Sequence, residues 1–577
     1  MKLIFSLFLC LSSSVALGWV DSLSSPSSKP SSTLAIDVPL GSYITVWGPW
    51  KDPAIVADES VEWTIYWLVG NRKQITPERT GYPKASVMDI PYYLLPDTKS
   101  LDTIDFENDK IFKPNTVFGR AVRIHALKLG KTTVMINQDR VKLHIIEPPS
   151  QPDCAFGFYT DPGRYAYPKQ WRKCLRLLAD YGLNVAIGQP VYPYDDPNAP
   201  ARPLNTNRYS KDQVDKFVGQ FLAKSLDTSV EEGLFRGVGG SSTLVYSMDP
   251  ERVSYAFEFG KYVDRWPKLY FGNMDEPFLP QHFKKVREMA DAWHRAGYLN
   301  GTSLEAASAF QIGDHLDLWI VQVREFNETI KAYGQQCGAE VWIYSAAMRG
   351  TNAPMHRYLT GVWTWAMKPR GVMLWAFTHE ASSRIESDGT WMVRGVNEHA
   401  LATPDGPLPT VGLEGYRDGI VDYRILHDLE QAILIRPRTL ASPEAAIWMQ
   451  QLREKVDGGF WTNWDYHQPW DYIDTVRPPI DSFQDIRNSA LALIRRIRTY
   501  SHHHRDGYAY TKLGRHEEAI ARFNHAVNIN PDDADAHFLI GLSHLSLKNT
   551  AGAIAKYEIL KDLDKNLSKR LFNRIYK

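Results

Sequence analysis

Lys268-Leu269-Tyr270-Phe271-Gly272-Asn273-Met274-Asp275-Glu276-Pro277 opens as an apolar strand and ends on two adjacent carboxylates and a proline. Proline cannot donate to a sheet ladder, so the strand stops there. The surrounding sequence repeats this rhythm. Apolar runs fall at 155–159, 184–188, 234–238, 268–272, 303–306, 316–321, 340–344 and 371–376. Stretches with helical spacing separate most of them, as at 168–181, 212–226 and 281–298. Eight alternations of this kind predict a (β/α)8 TIM barrel. An open doubly wound sheet is the alternative, but no glycine-rich phosphate-binding turn follows the first run.

The chain has 577 residues, more than one ordinary domain holds. Upstream of the barrel, residues 34–150 carry short runs at 43–47, 61–67, 121–124, 133–136 and 141–145. Several alternate apolar with polar, as half-buried strands do, and a β-sandwich is expected. Pro148-Pro149-Ser150-Gln151-Pro152 closes it, and the barrel domain is expected over 151–500. Beyond Ser501, Gly507 recurs as Gly541, Ala519 as Ala553 and Ile520 as Ile554. That 34-residue spacing is the tetratricopeptide period, so residues 501–577 are expected to be a short array of helical repeats and a surface for a protein partner.

At the other end, Met1-Lys2, an apolar stretch from Leu3 to about Leu17, and Ala16-Leu17-Gly18 read as a signal peptide over 1–18. A Ser/Pro-rich linker follows over 19–33. The expected product is exported to the periplasm or outside the cell, and no stretch is a comfortable membrane span. Lys+Arg and Asp+Glu each total 66, so there is no basic field for nucleic acid or anionic lipid. The 18 Trp and 29 Tyr offer flat faces with polar handles, which suit sugar rings as well as a large core. Cys154, Cys174 and Cys337 are too sparse for a disulfide framework or a zinc site, and neither metal nor cofactor is expected.

Catalytic side chains of a TIM barrel sit where its strands end, which is where Asp275 and Glu276 fall. Regular strand geometry would point the two to opposite faces, so both reach one cleft only if the chain is already turning. Crowding two negative charges raises the pKa of at least one, as a general acid for glycosidic cleavage requires. Asp-Glu-Pro also resembles a helix start.

Met274-Asp275-Glu276-Pro277, Glu340-Val341-Trp342-Ile343-Tyr344, the stretch from Trp363 to Trp375, and Arg417-Asp418-Gly419-Ile420-Val421-Asp422-Tyr423 together resemble glycoside hydrolase family 123 over roughly residues 35–500. The resemblance implies a retaining β-N-acetylgalactosaminidase that uses the substrate's own acetamide as nucleophile. It implies Glu276 as general acid/base and Asp275 as the residue that orients the acetamide and stabilises the oxazolinium. Adjacency suits this scheme, because the two carboxylates need not straddle the scissile bond.

Tyr344 and Trp375 end the seventh and eighth runs and are candidates for a sugar-binding wall; strand alternation turns Trp342 into the core. Trp363, Trp365 and His379 are further candidates, as is Asp161 after the first run. Glu414, Arg417, Asp418 and Asp422 read as a structural ion-pair network. Two other readings stay open: a glycosidase of different sugar specificity, and a non-catalytic carbohydrate-binding or interaction protein.

Overall fold

A computed structural model describes residues 18–19, 36–48, 50–75, 86–96, 104–105, 116–150, 152–160, 171–188, 242–245, 268–272, 276–295, 297, 299–345, 352–374, 383–385, 391–393, 399–401, 407–435, 441–456, 460–461, 476–529 and 531–576. The chain forms two compact units, Met1–Tyr423 with Asp457–Ile480, and Arg424–Val456 with Asp481–Lys577.

The first unit begins with strands β1 (Gly18–Trp19), β2 (Ile36–Pro39), β3 (Tyr43–Gly48), β4 (Ile55–Val56), β5 (Val61–Ile75), β6 (Ser86–Pro96), β7 (Ile104–Asp105), β8 (Thr116–Ala126), β9 (Gly130–Ile136) and β10 (Asp139–Ile146). Nine of them make two sheets, ordered β1-β3-β8-β5-β6 and β2-β10-β9-β4. Alternation decides which faces meet. Val134, Ile136, Val141, Leu143 and Ile145 of the second sheet share one core with Ile44, Val46, Val122 and Ile124 of the first. Lys131, Thr133 and Lys142, one residue out of phase, are exposed.

Strands β11 (Ala155–Thr160), β12 (Val185–Gly188), β13 (Ser242–Val245), β14 (Lys268–Gly272), β15 (Leu299–Leu304), β16 (Leu318–Gln322), β17 (Glu340–Ser345) and β18 (Gly371–Leu374) follow. They pair in that order, and β18 returns to β11 to close a barrel of parallel strands. Helices α1 (Trp171–Asp180), α2 (Pro280–Arg295), α3 (Ala306–Ile312) and α4 (Glu328–Cys337) lie between strands. The helix expected at 212–226 lies outside the described residues.

Two strands differ from the sequence expectation. The third is Ser242–Val245, not 234–238, which lies outside the described residues. Its four residues carry only two large apolar side chains, too weak a signal for periodicity to find. The fifth starts at Leu299, and Ala306 has already entered α3. Its Asn300, Thr302 and Ser303 are buried, so its apolar count misleads. The Asn300 amide is satisfied by the His315 carbonyl at 3.3 Å and the Asp317 carboxylate at 3.1 Å. Gly301 is needed there because a Cβ would lie 2.5 Å from that of Leu318.

Ala155, Val185, Tyr270, Leu318, Ile320, Trp342, Tyr344 and Met373 form one buried cluster contributed by strands around the barrel. Trp342 is in that core, as strand alternation requires.

A long helix, α5 (Val411–Ile435), presents Glu414 to the first sheets. The Glu414 carboxylate is fully buried and accepts from Thr45 Oγ1 of β3 at 2.8 Å and from the Tyr181 hydroxyl. It pairs with Arg417 at 2.5 Å and with Arg123 of β8 at 3.5 Å. Arg417 also holds Asp418 at 2.8 Å, and Asp422 pairs with Arg357 at 2.5 Å. These residues are a structural network joining sheet, barrel and helix.

The second unit is helical. It contains α6 (Ala441–Lys455), α7 (Phe483–Lys512), α8 (His516–Ile529), α9 (Ala534–Ser546), α10 (Thr550–Leu563) and α11 (Lys565–Ile575). The domain boundary expected at 500/501 falls inside α7, so the helical unit begins earlier than the repeat does. The repeated positions are helix contacts. A Cβ on Gly507 would meet Phe523 at 2.6 Å and one on Gly541 would meet Leu571 at 2.5 Å, while Ala519 and Ala553 are fully buried. Among the described residues, no helix is long and apolar enough to cross a membrane.

Candidate functional site

Glu276 is the fourth residue after β14, and its backbone is in the left-handed region with φ of 43°. A non-glycine residue there stores on the order of 1–3 kcal/mol and persists only when its surroundings impose it. Two bonds impose it here. The Glu276 N–H donates to the Ser303 carbonyl of β15 at 2.9 Å. The next carbonyl, that of Pro277, accepts from Ser308 Oγ of α3 at 2.6 Å. Helix α3 is anchored in turn by Glu325, whose Oε2 accepts from the Ala306 N–H at 2.6 Å. That supplies the N-terminal acceptor Glu305 fails to provide.

This backbone conformation at Glu276 presents its carboxylate at the barrel mouth. Its Oε1 accepts from the Tyr344 hydroxyl at 2.5 Å. The Tyr344 oxygen accepts from Gln322 Nε2 at 3.0 Å. Gln322 and Tyr344 are register partners near the ends of β16 and β17. Three strand ends therefore converge on one hydrogen-bonded chain. Tyr344 is buried and Glu276 is exposed, so the carboxylate has one side fixed by protein and one side open. Such a group can give and take a proton at a substrate placed on its open side.

Of the residues singled out in the sequence, Glu276 and Tyr344 meet directly. Asp275, Trp375, His379 and Asp161 lie outside the described residues. Trp363 and Trp365 correct the expectation of a sugar-facing wall. They sit in a helical stretch, 353–367, whose middle Leu359–Trp363 is π-helical. That stretch is buried on every face from Ala353 to Trp365. Trp363 packs edge-on against Phe326 and Trp461, with ring centroids 5.9 and 6.4 Å away. A ring that solvent does not reach cannot stack on a sugar, so both tryptophans are core.

Sequence reading missed Gln322, Ser303 and Ser308. Only Gln322 leaves a trace, as the polar residue that ends the apolar run Leu318-Trp319-Ile320-Val321. Cysteine chemistry is not offered by Cys154, whose thiol burial pushes up to about 12. Among the described residues, no group of three or more His, Cys, Asp or Glu is placed to hold a metal ion.

Comparison with known proteins places a TPR repeat at residues 507–548. The helical unit thus belongs to the class of helix-pair repeat structures over that stretch. No curated protein matches the chain. Among solved structures, the chain is similar to tryptophan synthase from M. tuberculosis in its open form with BRD0059 bound. The two are 9% identical, the match covers 47% of this chain and 93% of that one, and the TM-score is 0.26, which carries no argument.

Proposed function

We propose that this chain is an exported glycoside hydrolase in which a β-sandwich precedes a (β/α)8 TIM barrel and Glu276 is the general acid/base. The observation that carries this reading is the Glu276 carboxylate, held in a strained turn after a barrel strand and hydrogen-bonded to Tyr344 at 2.5 Å. Strained backbone clusters at functional sites, which supports the reading of Glu276 as a reacting group. The resemblance to glycoside hydrolase family 123 extends the reading to a retaining exo-β-N-acetylhexosaminidase, galacto-configured, acting on a glycan or glycoconjugate.

In that reaction the acetamide oxygen of the substrate attacks C1 while Glu276 gives its proton to the departing glycosidic oxygen. Asp275 orients the acetamide and balances the oxazolinium. Glu276, now a carboxylate, removes a proton from water, whose oxygen attacks C1 and reopens the ring with retention. Tyr344 stands beside the reacting carboxylate and holds it in place by donating its hydroxyl proton to Glu276 Oε1. The repeat tail supplies a protein-binding surface.

Turnover of a chromogenic β-N-acetylgalactosaminide, lost in Glu276→Gln and Asp275→Asn and inhibited by a thiazoline mimic of the oxazoline, would support the proposal. Turnover of a sugar lacking the acetamide would sink substrate assistance. Binding of glycans without turnover of any would sink the hydrolase.

A further inference from the structure

We propose that Glu305 is a specificity-determining residue whose carboxylate accepts hydrogen bonds from ring hydroxyls of the sugar bound at Glu276. This rests on the reading of Glu276 as general acid/base. Strand β15 shows where the side chain goes. A Cβ on Gly301 would lie 2.5 Å from that of Leu318, and Leu318 belongs to the barrel core. Gly301 therefore faces the barrel interior, and Ser303 does so two residues on. Glu305 follows, because its backbone is still extended, with φ of −73° and ψ of 151°. The strand register agrees. Leu304 pairs with Val321, so one step further sets Glu305 beside Gln322, whose own partner is Tyr344. The Glu276 N–H is bonded to the carbonyl of Ser303 at 2.9 Å, on the strand that Glu305 follows. Glu305 thus enters the same end of the barrel as Glu276, from the neighbouring strand.

Folding makes no use of this carboxylate. Glu305 stands at the N-cap of α3 without a capping bond, and Glu325 accepts from the Ala306 N–H at 2.6 Å instead. Glu305 is exposed, and among the described residues its side chain has no ion-pair or hydrogen-bond partner. An ionised carboxylate only accepts, and it has two oxygens to offer. Two adjacent hydroxyls of a pyranose can each donate to one of them. In an N-acetylhexosamine, C1 is the reacting carbon and C2 carries the acetamide, so the 3- and 4-hydroxyls are the adjacent ring pair that remains. Glu276 moves the proton and the acetamide is the nucleophile, which leaves sugar binding to Glu305.

The test uses Glu305→Ala and Glu305→Gln in the full chain, each first matched to the wild type by circular dichroism. The substrates are a chromogenic β-N-acetylgalactosaminide and its 3,4-dideoxy analogue. On the full sugar, Glu305→Ala should lower kcat/KM about 10- to 100-fold, the worth of hydrogen bonds to a charged group, and Glu305→Gln, which keeps one acceptor, should lose less. On the dideoxy analogue both variants should stay within about twofold of the wild type, because the donors are gone. Equal losses on the two substrates, or none on either, overturn the proposal. Azide that restores Glu305→Ala and is recovered as a glycosyl azide would make Glu305 the nucleophile and overturn it as well. If the wild type turns over no glycoside, the hydrolase reading fails, while calorimetric titration with free N-acetylgalactosamine still decides Glu305. A Kd raised about tenfold or more in Glu305→Ala supports the proposal; an unchanged Kd, or no binding by the wild type, overturns it.

Discussion

Glu414→Ala should be among the most destabilising single changes in the first unit, at about 3–5 kcal/mol, because it strips a buried cation pair of its counter-charge. The magnitude follows from what Glu414 holds. Its carboxylate is fully buried, pairs with Arg417 at 2.5 Å and Arg123 at 3.5 Å, and accepts from Thr45 at 2.8 Å. Burial works against the charge on both arginines. Tyr181 and Glu414 around Arg123, and Asp418 and Glu414 around Arg417, nevertheless hold both guanidiniums more firmly protonated than in water. Without Glu414, Arg417 keeps Asp418, but Arg123 keeps only hydroxyl partners, Tyr181 and Tyr66 at 2.6 Å among them. Thr45→Val removes one neutral donor and should cost only about 1 kcal/mol. Denaturant unfolding of the full chain, followed by tryptophan fluorescence, measures both. A Glu414→Ala loss below about 1 kcal/mol, or equal losses in the two variants, would refute the reasoning, since the charge would then contribute nothing beyond a hydrogen bond.

Glu276→Gly should be more stable than Glu276→Ala by about 1 kcal/mol, because glycine adopts φ of 43° without strain; equal denaturation midpoints would show that the turn is unstrained. Trp363→Phe should lower stability by about 1–3 kcal/mol and leave substrate KM unchanged, since the ring is buried among Phe326 and Trp461; a raised KM with intact stability would return Trp363 to the binding site. The helical unit should lose stability on acidification. Burial first, then His525, Arg522 and His502, hold His503 below its ordinary 6.5, with Asp506 opposing. Burial first, and Lys556, hold His537 below 6.5, against the Pro531 carbonyl bond, Asp533 and Asp532. Both folded values lie below the unfolded one, so the unfolded chain binds more protons and stability falls as pH drops below about 6.5. Thermal melts read by helical ellipticity check this, and Gln at both positions should flatten the dependence.

Local periodicity made much of this protein legible. Six of the barrel strands and the 34-residue recurrence of Gly507 and Gly541 are patterns within short windows, set by which faces must be buried. The same reading placed Glu276 beyond a strand end, because Pro277 punctuates the chain there. What failed was equally physical. The fifth strand hides because its buried residues are polar and satisfied by partners distant in sequence, as Asn300 is by His315 and Asp317. Trp363 and Trp365 looked like candidates for a binding surface because a helix buried on every face carries no periodic mark of the fact. The meeting of Gln322, Tyr344 and Glu276 could only be decided by the closed barrel. Their positions lie up to 68 residues apart in the chain, and only pairing of β14 through β17 brings the three strand ends together. Side-chain type and strand position are local properties of sequence, whereas a hydrogen bond between strand ends depends on how those strands are ordered in space.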